Sequence, residues 1–107
     1  DDVCTTAITI LEIRAGIEML PVGRRRRELD RGFTAMLSEL TDRVLPFDTA
    51  AALASASLVA RRRKHGRSIE YRDTQIAGIA LVHRAKIATF NTCHFADLEV
   101  DLVEPRV

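Results

Sequence analysis

Residues 73–84, "DTQIAGIALVHR", are apolar nearly all round, and residues 86–90, "KIATF", follow as an almost unbroken apolar run. A helix without a polar stripe has to be covered on most sides. A continuous apolar strand is the pattern of a strand buried on both faces of a sheet. Joined in this order, they restrict the chain to a layered architecture with a central, buried helix beside an interior strand. Gly78 sharpens the expectation. A glycine inside a helix costs roughly 1 kcal/mol relative to alanine, so a neighbouring segment is expected to pack close against it.

The remaining segments fit the same architecture. "DDVCTTAI" at the start has short β-prone character. In "TILEIRAGIEML", Ile10, Ile13, Ile17 and Leu20 recur at helical spacing, and Thr9 with Glu12 fits a T-x-x-E capping box, which predicts a helix starting there. "PVG" breaks it. "RRRRELDRGFTAMLSELT" predicts a second amphipathic helix with Leu29, Phe33, Met36, Leu37 and Leu40 on one face. "RVLPF" reads as a short strand. Asp48 or Thr49 then caps a third helix, "AAALASASLVARRRKH", whose alanines and serines allow close packing. Its basic tail suits the negative end of the helix dipole, and Gly66 can stop it. "LEVDLVEP" alternates apolar and polar as an edge strand does. The order is strand, helix, helix, strand, helix, helix, strand and a last edge strand. It predicts an α/β sandwich with a mostly parallel sheet, formed by one domain over residues 1–107.

Composition excludes several classes. Apolar residues make up 47% and charged residues 29% of the 107, the balance of an ordinary globular chain rather than a disordered one. No apolar run is long enough to cross a membrane, and no segment has the order of a signal peptide, so a cytoplasmic protein without a membrane partner is expected. Cys4 and Cys93 form no CxxC pair and read as reduced thiols. His65, His83 and His94 lack metal spacing, which argues against zinc. Net charge is only +1, yet "RRRR" at 24–27 and "RRRKHGR" at 61–67 hold nine of the sixteen Lys and Arg residues. Such clusters are either solvated helix ends or local positive fields that attract nucleic acid.

Sites in open parallel sheets form beyond the carboxyl ends of the strands. Glu12, Asp73 and the segment Asn91 to His94 are expected near that edge. Each has an ordinary structural reading: Glu12 completes a capping box, Asp73 caps a helix, Asn91 starts a turn and His94 packs beside Phe95. Together they have another. Carboxylates gathered with no basic partner repel one another unless a cation sits between them, and oxygen donors of this kind favour Mg²⁺ or Mn²⁺. With basic clusters nearby, the matching chemistry is phosphodiester hydrolysis. No Walker loop, G-x-S-x-G, H-E-x-x-H or dinucleotide fingerprint competes.

Three segments carry a family resemblance. "TAITILEIRAGIEMLPVGRRR" resembles S-x-x-T-x-x-E-[LI]-x-x-G followed by a basic helix; "GRSIEYRDTQIAGIALVH" resembles a D-x-x-I-A-x-x-A helix; "IATFNTCHFADLEVDLVEP" resembles a T-R-N-x-x-[DH]-F ending with a final strand. In this order they resemble the PIN-domain toxins of bacterial toxin–antitoxin systems, the VapC type and its FitB-like relatives. The resemblance implies a PIN-like α/β/α sandwich and a Mg²⁺- or Mn²⁺-dependent endoribonuclease. It also implies a cognate antitoxin and a toxin homodimer; the groove expected between the first two helices is a dock for an apolar antitoxin helix. Glu12 and Asp73 take the places of metal-binding acids, Asn91 that of the asparagine after the strand, and His94 stands at the edge of the site. Arg24, Arg25, Arg61, Arg62 and Arg63 are candidates for drawing in RNA.

Two departures matter. Phe90 replaces the arginine of T-R-N, removing one phosphate contact. The first strand, with its L-D-T-N motif and first catalytic Asp, is absent from these residues, so the domain is expected to be N-terminally incomplete here, with that strand supplied elsewhere. Two other readings stay open: a PIN remnant that only dimerises and binds an antitoxin, and a DNA-binding protein that uses the arginine clusters.

Overall fold

Extended threonines give way directly to a helix at the start of the chain. A computed structural model describes residues 4–68, 70–88, 98 and 102–103. Strand β1, Thr5–Thr6, runs into α1, Ala7–Glu18; α2, Arg24–Glu39, follows, then a single 3₁₀ turn, Thr41–Arg43, and β2, Val44–Leu45. The next elements are α3, Thr49–Lys64; α4, Tyr71–His83; β3, Ile87–Ala88; and β4, Leu102–Val103. The chain divides into two compact units, residues 1–46 and 47–107.

In the first unit β1 pairs in parallel with β2, Thr5 opposite Val44 and Thr6 opposite Leu45. A parallel pair needs a long crossover, and α1 and α2 supply it. The pairing also explains where α1 begins. Thr6 is held extended (φ −116°, ψ 156°) and its Oγ1 accepts from the Thr9 N–H at 3.0 Å, so Thr6 is the N-cap. The expected start at Thr9 is corrected by one turn, and Glu12 becomes the sixth residue of α1 rather than half of a capping box. Arg14 ties α1 to α2. It bonds Glu18 at 2.8 Å and Asp30 at 2.7 Å, and lies 5.7 Å from the centre of the Phe33 ring. These bonds, Glu18 first and then Asp30, raise its pKa further above the ordinary arginine value.

In the second unit α3 packs tightly on α4. The buried residues of α3 are Ala51, Ser55, Leu58 and Arg62; those of α4 include Asp73, Thr74, Ala77 and Gly78. The close approach expected at Gly78 is present. A Cβ there would run into Ser55 Oγ and come within 2.8 Å of the Ala51 carbonyl oxygen. Ser55 Oγ donates to the Thr74 carbonyl at 2.8 Å, bridging the helices through the space the glycine leaves. Leu58, Ala77, Ala80 and Leu98 form the core, with Ile76 and Ala85 against it. The expectation that α4 is covered nearly all round is corrected: Leu81 and Val82 are 40% and 39% exposed, and Tyr71 is 59% exposed. One face of small residues is what α3 covers, and an apolar side chain can remain at a surface.

Helix ends follow their local chemistry. Asp48 accepts from the Ala51 N–H at 3.0 Å and caps α3, and Gly66 ends it at φ +70°. At the end of α4, Arg84 takes the left-handed conformation (φ 54°), and the Ala85 N–H reaches the Ala80 carbonyl at 2.8 Å. The second strand pair, β3 with β4, is also parallel, Ile87 opposite Leu102 and Ala88 opposite Val103. Both described pairs therefore agree with the parallel α/β expectation. Among the described residues no helix is long and apolar enough to cross a membrane.

Candidate active site

Asp73 is the most constrained of the candidate residues. It is the third residue of α4, after Glu70 at the N-cap, so it does not cap the helix as the sequence led us to expect. Its position in the first turn still puts its charge at the positive end of the helix dipole. It is also buried, 3% exposed. A carboxylate out of water needs opposite charge or hydrogen bonds, and two guanidinium groups supply charge. Arg62 Nη1, from α3, lies 4.0 Å from Asp73 Oδ2, and Arg72 Nε lies 3.8 Å from Oδ1. Arg72 is about half exposed, whereas the Arg62 side chain is 2% exposed. The sequence reading of acids gathered without a basic partner is therefore corrected for Asp73.

The same geometry corrects Arg62. Its guanidinium is buried beside Asp73 and does not present a surface charge to RNA. The burial has a simple sequence signal. Ala51, Ser55, Leu58 and Arg62 recur at i, i+4, i+7 and i+11, one continuous inner face of α3. Reading "RRRK" as a single charged block hid the fact that its second member extends this stripe. Arg63 is exposed, as are Arg24 and Arg25 at the start of α2, and Arg61 is half-buried.

Glu12 is half-buried on α1. With the cap assigned to Thr6, the capping-box reading of Glu12 no longer applies. Asn91 and His94 lie outside the described residues. His83 is exposed, and His65 Nδ1 lies 2.9 Å from the Arg61 carbonyl at the basic end of α3. Among the described residues no group of three or more His, Cys, Asp or Glu is gathered as metal ligands would be. Taken singly, Glu12 in the first unit and Asp73 in the second each carry hard carboxylate oxygens, a donor chemistry that suits Mg²⁺ or Mn²⁺ rather than a soft metal.

A separate feature belongs to the first unit. A groove of about 420 Å³ runs between α1 and α2, lined chiefly by Ile13, Ile17, Leu20, Leu29, Phe33 and Met36. Gly16 and Gly32 leave room in its walls. Ile17 is buried, while the other apolar residues of the two helices remain partly open.

The parallel strand pairs, the first joined through α1 and α2, define an α/β protein, and an acid enters the interior at the first turn of α4. The PIN domain matches residues 1–100, and the chain belongs to that family. It is 36% identical to plasmid stability protein StbB of Pseudomonas syringae, over 94% of this chain and 73% of that protein. It is 35% identical to VapC ribonuclease Y4jK of Sinorhizobium fredii, over 94% of this chain and 72% of that protein. It is 32% identical to toxin FitB of Neisseria gonorrhoeae, over 98% and 76% respectively. The fold is that of the crystal structure of FitAcB from Neisseria gonorrhoeae, with a TM-score of 0.88 and 31% identity over 96% of this chain and 75% of that one.

Proposed function

We propose that this protein is the toxin of a toxin–antitoxin pair and acts as a metal-dependent endoribonuclease. The observation that carries the reading is the buried carboxylate of Asp73 at the first turn of α4, in a chain that belongs to the PIN family. The relatives named as a VapC ribonuclease and a toxin support the same activity. Glu12 and Asp73 would hold Mg²⁺ or Mn²⁺. Such an ion supplies charge for the phosphodiester and acidifies water at neutral pH. Asn91 would orient a ligand of the site, with His94 at its edge. Arg24, Arg25, Arg61 and Arg63 would attract the RNA backbone through charge alone.

The partners follow from the surface. The apolar groove between α1 and α2 suits one face of an amphipathic helix, and we assign it to the cognate antitoxin. A homodimer of the toxin completes the reading. The decisive experiment uses the full-length protein. Glu12→Gln and Asp73→Asn should each abolish RNA cleavage and growth arrest, by at least about a hundredfold if the acids stabilise transition-state charge. Cleavage that survives both substitutions would end the assignment.

One observation favours a non-catalytic alternative, a PIN remnant that only dimerises and binds its antitoxin. Asp73 already has two cations beside it. Calorimetry separates the two readings, because the remnant takes up neither Mg²⁺ nor Mn²⁺.

A further inference from the structure

Arg62 and Asp73 bring opposite charges together in the interior of the second unit. Arg62 is almost completely buried on α3, its Nη1 4.0 Å from the Asp73 carboxylate on α4. A buried ion pair is poor evidence of added stability, since desolvating two charges offsets their attraction. What it does supply is charge compensation at a carboxylate that the proposed activity needs for a divalent ion. We propose that Arg62 is a positioning residue, a resident counter-charge that holds Asp73 in place while no metal is bound and that weakens metal binding by opposing the incoming cation. The proposal rests on the metal reading of Asp73 given above.

The argument is electrostatic. Without an ion, Asp73 in the interior is compensated by Arg62 from α3 and by Arg72 from its own helix. Arg72 faces solvent in part, and its field is correspondingly screened. Arg62 is buried, so water screens it far less. Once a divalent ion binds the same carboxylate, Arg62 becomes a like charge nearby, and that repulsion is strong where water is excluded. The first effect makes the fold independent of metal. The second sets how tightly metal binds.

The test uses the full-length protein and Mn²⁺ as the probe. Arg62→Met keeps the bulk of the side chain and removes the charge. The variant should melt several degrees lower than wild type in EDTA and recover most of that loss when Mn²⁺ is added. Its Mn²⁺ dissociation constant by calorimetry should be about tenfold lower than that of wild type. Adding Asp73→Asn to Arg62→Met should restore the melting temperature in EDTA and abolish the Mn²⁺ effect. The double variant also serves if Arg62→Met alone does not fold. A melting loss that is the same in EDTA and in Mn²⁺, or an unchanged or weaker Mn²⁺ affinity in Arg62→Met, overturns the proposal while leaving the metal site intact. A double variant no more stable than Arg62→Met overturns the pairing. Failure of wild type to take up Mn²⁺ overturns the metal reading and this proposal with it.

Discussion

Gly78 shows how one missing atom sets a helix interface. Intrinsic propensity alone favours Gly78→Ala by about 1 kcal/mol. The added methyl, however, would meet Ser55 Oγ and lie 2.8 Å from the Ala51 carbonyl oxygen, which is backbone and gives little. Overpacking of this kind costs about 1–3 kcal/mol, so the interface term wins. Gly78→Ala is expected to lower stability to urea, with a reduced midpoint and an unchanged slope. Arg84 presents the opposite case. It occupies the left-handed region at φ 54°, where a Cβ is penalised and glycine is not. Arg84→Gly is expected to raise stability by about 0.5–1 kcal/mol, measured by the same denaturation. A fall would mean that the arginine side chain contributes more than its backbone strain costs.

At the scale of the element, α2 begins against its own dipole. Four arginines, Arg24 to Arg27, stand at its amino end, the cap at Gly23 offers no side-chain hydrogen bond, and no acid lies in the first turn. Glu28 bonds Arg24 at 3.2 Å and Arg26 reaches the Leu20 carbonyl at 3.4 Å, which offsets part of the repulsion. A helix start that costs stability is consistent with charge retained for binding. Arg25→Glu separates the two effects. It should stabilise the fold by about 0.5 kcal/mol through the dipole while weakening RNA binding, read as a melting temperature and a salt-dependent dissociation constant. An RNA affinity equal to that of wild type would remove α2 from the nucleic-acid surface. The elements themselves were legible because apolar periodicity records them. α2, α3 and α4 lie where the pattern put them, with ends shifted by one or two residues, and the described strand residues fall inside the segments read as strands. α1 started early because pairing of Thr6 in a strand, a non-local fact, decided which threonine became the cap.

Across the whole chain, the sequence singled out candidate acids but not their surroundings. Glu12 and Asp73 stood out as acids in otherwise apolar helical patterns. That Asp73 is buried beside Arg62 depends on which faces of α3 and α4 meet. A run of arginines suggests solvent unless each member is placed on its own helical face. Asn91 and His94 keep their expected roles as proposals, outside the described residues.

The α3–α4 interface also bears on the order of folding. The two helices are neighbours in sequence, joined by the short segment 65–70, and their contacts close a small loop. The β1–β2 pair must instead bring Thr5 to Val44 across two helices. Local contacts of the first kind form early, because little chain entropy is lost before they are rewarded. Leu58→Ala is therefore expected to slow refolding more than it accelerates unfolding in stopped-flow experiments, with a φ-value above about 0.5. Arg62 and Asp73 lie in this early-forming hairpin of helices, so the carboxylate would meet its counter-charge while much of the chain is still unstructured.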